Sequence, residues 1–228
     1  MLNGRTGPIA CRYCDLQEIC RLCGIVAGGE ESARQRTGST RRTLQVGDRL
    51  FHAGDPAHSI FAVRRGMLKT VDIGQEGEEH IVAIHTPGDV LGMEAFGNRV
   101  YARDAVAMQP VSFCKLPLSL LSAQYVRARE LGMALINLLS RLSVQPIASV
   151  RGSSRERVAG LILELSRRFE QRGLDGRSFS LGMTRQDMAS LLDTRIETVS
   201  RTIQKMHRAK EIEVTGQQVT LLSLKPAV

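Results

Sequence analysis

Short apolar runs separated by glycine turns fill the first half of the chain. Runs such as 60–63 and 81–84 are rich in β-branched side chains, and turn pairs such as Gly88-Asp89 separate them. Turn signals that recur at short intervals between β-prone runs are typical of antiparallel sheet. The pattern therefore predicts an antiparallel β-roll over residues 44–117.

The hydrophobic period becomes helical between residues 118 and 150. Four leucines at spacings of four, three and four residues form a narrow stripe: Leu131, Leu135, Leu138 and Leu142. Such a stripe is typical of a helix that packs against a second helix, which predicts a homodimer seam. The alternative is burial of the stripe against the chain's own β-roll, but Ile136 and Leu139 offer a second apolar face for that contact. Pro146 is expected to kink or end the helix.

The last stretch, residues 151–228, contains helical runs followed by a short hairpin. Thr184 precedes one helical run, Thr194 precedes the next, and Gly216 marks the hairpin turn. Two helices joined by a short turn and followed by a hairpin predict a winged helix-turn-helix. Thr194 and Glu197 have the spacing of a capping box, which would set the start of the second helix.

Candidate base-reading residues lie at the start of that second helix. Glu197, Ser200 and Arg201 stand at positions i, i+3 and i+4, so they share one face of its first two turns. In a helix-turn-helix this part enters the major groove, where arginine pairs with guanine, glutamate accepts from cytosine and serine suits several base edges. Val199 and Ile203 are expected to pack on the preceding helix.

The charge of the chain favours a polyanionic partner. There are 31 Lys and Arg against 23 Asp and Glu, and residues 151–228 hold 14 basic and 9 acidic side chains. Such an excess attracts nucleic acid by releasing counterions, although a solvated helix face has a similar composition. Trp is absent and aromatic residues make up 4% of the chain, which disfavours a stacking platform for single strands. Double-stranded DNA is the predicted partner.

Composition and motifs exclude several other classes of protein. An apolar fraction of 43% is too high for a disordered chain. No apolar run approaches the roughly 20 residues of a membrane span, and the first ten residues show no secretory leader, so we expect a cytoplasmic protein without a membrane partner. A P-loop, a dinucleotide fingerprint and a nucleophile elbow are all missing from the sequence, so no enzymatic activity is predicted.

Four of the five cysteines precede a Gly-, Ser- and Arg-rich run over residues 27–43, which we interpret as a linker. They are separated by two, five and two residues: Cys11, Cys14, Cys20 and Cys23. In a cytoplasmic protein this spacing predicts a metal site rather than disulfides. The two pairs lie closer together than in the usual four-thiolate zinc site, so an iron–sulfur cluster is favoured over zinc, with a thiol redox switch third.

Over nearly its whole length, the chain resembles the CRP/FNR superfamily of transcription factors. The segments that carry the resemblance are "TRQDMASLLDTRIETVSRTI", "FHAGDPAHSIFAVRRGMLK", "PGDVLGMEAFG" and "LSRRFEQRG". The cysteines narrow it to the FNR branch of anaerobic regulators. The resemblance implies an α+β fold: a cluster loop and linker (1–43), an antiparallel β-roll of the cyclic-nucleotide-binding type (44–117), a long dimerisation helix (118–150) and a C-terminal winged helix-turn-helix (151–228).

The same resemblance implies a 4Fe–4S cluster as cofactor. Cys11, Cys14 and Cys20 match three ligands of the FNR branch and Cys114 matches the fourth, which leaves Cys23 as a spare. The alternative set contains Cys23 in place of Cys11 and has the reverse spacing. Without the resemblance, Cys114 would be interpreted as a buried core cysteine.

The function implied by the resemblance is oxygen-responsive regulation of transcription. Glu197, Ser200 and Arg201 match residues that read TTGAT half-sites in an inverted repeat. The cluster would promote homodimer formation and DNA binding, and RNA polymerase is an expected partner. A cyclic nucleotide is not expected, because Asp104 follows Arg103 where the cyclic-AMP branch has an Arg-Ser pair. The alternatives are a cluster-free regulator of the same family and a zinc or redox-thiol protein.

Overall fold

The computed structural model describes residues 8–25, 42–74, 77–122, 127–143 and 152–224. The strands are β1 (Arg42–Leu44), β2 (Arg49–Phe51), β3 (Ser59–Arg65), β4 (Leu68–Ile73), β5 (Glu79–His85), β6 (Val90–Leu91), β7 (Asp104–Ala107), β8 (Val111–Pro117), β9 (Ser178–Ser180), β10 (Ile212–Thr215) and β11 (Gln218–Leu221). The α-helices are α1 (Gln17–Leu22), α2 (Leu118–Ser122), α3 (Ala128–Ser143), α4 (Ser154–Gln171), α5 (Arg185–Leu191) and α6 (Ile196–Arg208), and short 3-10 helices cover Cys11–Tyr13 and Met93–Phe96.

Two compact units account for the described residues. One contains residues 8–68 and 85–143, and the other contains residues 69–84 and 152–224. Most of the predicted linker, up to residue 41, and the predicted kink at Pro146 lie outside the described residues. Within the ranges that are described, no helix combines the length and apolar character needed to cross a membrane.

The strands of the first half form the predicted β-roll. One four-stranded sheet has the order β1-β8-β3-β6, and a second has the order β2-β7-β4-β5. Strands β3 and β8 pair antiparallel, with Ala62 opposite Cys114. Gly88 has a φ of 103°, which glycine adopts without steric strain and which the turn before β6 requires. The α+β class and the antiparallel β-roll are therefore confirmed.

Strands β3 and β8 separate two apolar layers. Because successive side chains of a strand point to opposite faces, Phe61 and Phe113 pack inside the roll while Ala62 and Leu116 pack on its outer face. The outer layer is completed by residues in or beside α1 and by residues of α3: Leu16, Ile19, Leu22, Leu131, Ala134 and Leu138. Cys114 lies two positions before Leu116 in β8, so its side chain is on the same face and belongs to this outer layer.

Helix α3 turns its leucine stripe toward the outer layer of its own chain. Leu131 is buried and Leu138 is 0% exposed. Leu135 and Leu142 are partly buried and pack against the same cluster. Helix α1 contacts α3, so it covers the stripe that a partner helix was predicted to cover.

The opposite side of α3 carries what we call the exposed face, made of Met133, Ile136 and Leu139. These side chains are 54%, 58% and 48% exposed. The predicted assignment of the two faces is therefore wrong, because the leucine stripe faces the chain's own core and Ile136 and Leu139 do not. Both faces are apolar, and spacing alone does not say which one the distant helix α1 covers.

A pair of alanine variants tests this assignment of faces. Leu138→Ala is expected to lower the free energy of unfolding by about 2–5 kcal/mol, because it leaves a cavity in the outer layer. At protein concentrations where the chain is monomeric, Leu139→Ala is expected to cost less than about 1 kcal/mol, because its side chain is half exposed within the chain. Denaturant titration of both proteins measures the two losses, and equal losses would contradict the assignment.

The C-terminal residues form the predicted winged helix-turn-helix. Strands β9, β10 and β11 make a three-stranded antiparallel sheet in the order β10-β11-β9. Helix α6 contacts both α4 and α5. The buried face of α4 supplies a continuous apolar stripe: Val158, Leu161, Ile162, Leu165 and Phe169. Helix periodicity and the hairpin turn thus predicted this part of the fold correctly.

Candidate functional sites

Helix α6 presents the three predicted base-reading residues on its surface. Glu197 and Arg201 are exposed and Ser200 is partly exposed. Val199 and Ile203 are buried and attach the helix to its neighbours, as predicted. The trio therefore shares an accessible face in the first two turns, which is the part of a recognition helix that meets base edges.

Helix α6 begins one residue later than the sequence predicted. Its N-cap is Arg195, whose side chain makes no capping hydrogen bond. Counted from Arg195, Glu197 is the second helical residue rather than the third, so the predicted Thr194–Glu197 capping box is wrong. Boxes of this kind begin α4 and α5 instead, at Ser153–Glu156 and Thr184–Asp187. Glu197 is therefore exposed and is not part of a capping box.

Sequence reasoning missed Arg157, which stabilises the turn between α5 and α6. Asp193 has a φ of 47°, in the left-handed region that Asp and Asn tolerate better than most residues. Arg157, on α4, donates from Nη1 to the carbonyl oxygens of Leu192 at 2.7 Å and Asp193 at 3.2 Å. These contacts span 35 and 36 positions, so no local pattern could have indicated them.

Exposed basic side chains accompany the trio on and beside α6. They are Arg195, Arg201, Lys205, Arg208 and Lys210. Cations around a recognition helix position it on the phosphate backbone and supply affinity that does not depend on sequence. The predicted basic segment is therefore on the surface, where a polyanion can reach it.

The N-terminal cysteines lie against the outer face of the β-roll. The segment that carries them is fixed by backbone hydrogen bonds from Ile9 N to Arg64 O, at 2.9 Å, and from Asp15 N to Gly88 O, at 3.0 Å. Cys20 lies within α1, whose apolar side chains pack into the same outer layer as Cys114. Two distant parts of the sequence therefore contribute to the same apolar layer.

Cys14 and Cys20 lie in an environment that disfavours a lone thiolate. All five cysteines are within the described ranges, and none forms a disulfide. Burial, with smaller contributions from repulsion by Cys114, Asp15 and Cys11, raises the pKa of Cys14 to about 12. Burial also raises the pKa of Cys20, helped by repulsion from Cys14, Cys114, Cys11 and Cys23 in decreasing order. Thiolates in this position need a nearby cation, such as a metal, to stay ionised.

Two observations group the cysteines differently. Apolar packing joins Cys14, Cys20, Cys23 and Cys114, whereas Cys11 is exposed. Charge repulsion joins Cys14 and Cys20 to Cys114 and Cys11, and Cys23 adds only the smallest of the thiol contributions at Cys20. Both groupings contain Cys14, Cys20 and Cys114, and they differ only in Cys11 and Cys23.

The cysteines fit an iron–sulfur cluster by donor chemistry. Among the described residues, no group of three His, Cys, Asp or Glu side chains is placed to hold a metal ion. Partly buried thiols on one side of a sheet are the soft donors that iron–sulfur clusters use.

Asp104 takes part in the structure of the roll. It is 5% exposed, accepts a hydrogen bond from Ala53 N at 2.7 Å and forms an ion pair with Arg49. These contacts join strand β7 to β2 and to the turn after it. The carboxylate that was predicted to repel a cyclic phosphate is thus a fixed part of the fold.

A β-roll followed by a winged helix-turn-helix with an exposed recognition helix defines a DNA-binding transcription regulator. Residues 41–126 match the model of the cyclic nucleotide-binding domain, and residues 156–225 match that of the Crp-like helix-turn-helix domain. The chain belongs to the Crp/FNR family. Members of this family are transcription regulators, which confirms the prediction that the protein is not an enzyme.

Individual relatives cover most of the chain. The transcriptional activator protein anr of Pseudomonas aeruginosa is 30% identical over 93% of this chain and 88% of its own length. The anaerobic regulatory protein of Pasteurella multocida is 29% identical over 93% of this chain and 79% of its own. The structure of FixK2 from Bradyrhizobium japonicum superposes with a TM-score of 0.66 at 25% identity, over 80% of this chain and 92% of that one.

Proposed function

We propose that this protein is an oxygen-responsive, sequence-specific transcription regulator of the anaerobic response. It acts as a cytoplasmic homodimer on TTGAT-type inverted repeats in double-stranded DNA. The observation that carries the proposal is the position of Cys114 on the outer face of β8, in the same apolar layer as Cys14 and Cys20. The name of the Pasteurella multocida relative supports the anaerobic role.

Cys11, Cys14, Cys20 and Cys114 are the proposed ligands of a 4Fe–4S cluster. When bound, the cluster supplies iron–thiolate bonds between the N-terminal segment and β8, which oxygen can break. Burial raises the pKa of Cys14 and of Cys20, so these two thiols return to the protonated form when the metal is absent.

Helix α1 is the proposed connection between the thiols and the dimer. It contains Cys20, and its Ile19 and Leu22 are buried in the layer that also holds Leu131 and Leu138 of α3. A change in the position of α1 therefore changes the support under α3. The two states then differ in the free energy of dimer formation, as linkage between ligand binding and assembly requires.

The exposed face of α3 is the proposed dimer interface, bordered by Leu135 and Leu142 from the predicted seam. Pairing through this face places two α6 helices on the same DNA, with half-sites about one turn apart. RNA polymerase is a further proposed partner, and a cyclic nucleotide is not a proposed effector.

Anaerobic purification tests the cofactor. Broad visible absorption that bleaches in air, together with iron and sulfide in equal amounts, is the expected result. A colourless protein with one tightly bound zinc would establish the zinc alternative. A protein that carries neither metal yet binds the operator would be a cluster-free regulator of the same family.

Arg201→Ala tests the reading of DNA sequence. The variant is expected to lose about 1–3 kcal/mol of discrimination at one guanine position, because a bidentate pair with that base is removed. Binding to operators that differ at single base pairs measures the loss. Lys205→Ala serves as the control, since loss of an exposed cation is expected to weaken binding equally on all sequences. A uniform loss for Arg201→Ala would mean that this side chain contacts only phosphate.

A further inference from the structure

The β4–β5 hairpin belongs by its contacts to the same compact unit as the helix-turn-helix. Strand β5 ends the strand order of its sheet, so one row of its backbone groups has no neighbouring strand among the described residues. In that row, Ile81 N donates to Ser190 Oγ of α5 at 3.2 Å. An edge-strand amide thus finds its acceptor on the first helix of the DNA-reading motif.

Lys69 makes a second connection between the hairpin and α5. Its ammonium lies 2.9 Å from Glu79 Oε2, across the hairpin, and 3.0 Å from Asp187 Oδ1. The side chains of Lys69 and Asp187 are only 16% and 15% exposed. An ion pair with this little exposure is screened weakly by solvent and depends on both partners being present.

Asp187 takes part in both the capping box of α5 and the ion pair with Lys69. Its Oδ2 accepts from Thr184 N at 2.9 Å and Thr184 Oγ1 at 2.7 Å in the capping box of α5, while its Oδ1 binds Lys69. The carboxylate that fixes the start of α5 is therefore the one that attaches α5 to the hairpin. Burial opposes ionisation of Asp187, but its hydrogen bonds with Thr184 and Lys69 outweigh burial and lower its pKa.

Helix α5 in turn supports the recognition helix. Met188 and Ala189 of α5 and Val199 of α6 are buried, and Thr194 N donates to Ala189 O at 2.9 Å across the turn between the helices. A contact that fixes α5 therefore also fixes the helix that carries the base-reading trio.

We propose that Lys69, Glu79 and Asp187, together with the Ile81–Ser190 hydrogen bond, form a brace through which the β4–β5 hairpin positions the helix-turn-helix. The brace makes the hairpin a part of the DNA-reading unit. Lys69 and Ser190 are positioning residues, since neither belongs to the base-reading trio.

Hydrogen exchange of the cluster-free protein tests the brace itself. In Lys69→Met and in Ser190→Ala, the amides of α5 and of residues 79–85 are expected to exchange about tenfold faster than in the wild type. Lys69→Arg keeps the charge and is expected to restore slow exchange. Lys115→Met removes a lysine from β8, outside the brace, and is expected to leave exchange unchanged. Unchanged exchange in both brace variants would overturn the proposal.

Operator affinity then tests whether the brace positions the recognition helix. The affinity of Lys69→Met for the operator is expected to fall about tenfold and to recover in Lys69→Arg. Affinity that is unchanged in Lys69→Met would overturn this positioning role.

Discussion

Cys114→Ser is expected to remove the iron from anaerobically purified protein, from about four atoms per chain to almost none. A serine hydroxyl is a hard, poorly ionised donor, and three ligands from the N-terminal segment alone would leave the cluster unattached to β8. Iron and sulfide analysis together with visible absorption measures the loss. Serine differs from cysteine at one atom and Cys114 is only partly buried, so the variant is expected to unfold at nearly the temperature of the cluster-free wild type.

Cys23→Ser is the matched control for this experiment. Cys23 has the same partly buried environment as Cys114, and it is the cysteine that the proposed ligand set leaves out. The control protein is expected to keep its iron and its absorption. If Cys23→Ser lost the iron while Cys11→Ser kept it, the ligand set would be the alternative one, with Cys14, Cys20, Cys23 and Cys114.

The β-roll and the winged helix-turn-helix could be predicted because their signals are local. Glycine turns such as the one at Gly88 require a positive φ that few other residues adopt, and they recur between β-branched runs. The inward positions of α6, such as Val199 and Ile203, repeat with the helical period. Signals of this kind depend only on residues a few positions apart.

The faces of α3 could not be predicted, because they depend on a contact far along the chain. Leu138 and Leu139 are neighbours with the same side chain, yet one is 0% and the other 48% exposed. What separates them is helix α1, more than a hundred positions earlier, which covers Leu138. The spacing of the leucines indicated correctly that a helix would cover them, but not that the helix is in the same chain.

The face of β8 that carries Cys114 could be predicted from the sequence, although only the resemblance suggested a role for this residue. In β8 the side chains alternate, so Cys114 shares a face with Leu116, while Phe113 points into the roll. Alternation alone thus indicates which layer holds the thiol. It does not indicate that the N-terminal cysteines cover that layer, because this depends on distant hydrogen bonds such as Ile9 N to Arg64 O.

Ile136→Glu is expected to raise the dissociation constant of the homodimer at least about a hundredfold. The change would place a carboxylate from each protomer inside the apolar contact proposed for the exposed face of α3, where both charges lose water and repel each other. Sedimentation over a range of protein concentrations measures the constant. Operator affinity is expected to fall with it, because a monomer carries only one recognition helix.

Asn137→Glu adds the same charge one position further along α3. That position is about 100° around the helix from Ile136 and is already polar and exposed, so the dimer is expected to survive. Equal weakening by both variants would mean that charge on α3, rather than burial of Ile136, opposes assembly. A dimer that tolerates Ile136→Glu but not Leu142→Glu would instead place the interface at the edge of the leucine stripe, where Leu135 and Leu142 are only partly covered by the chain's own core.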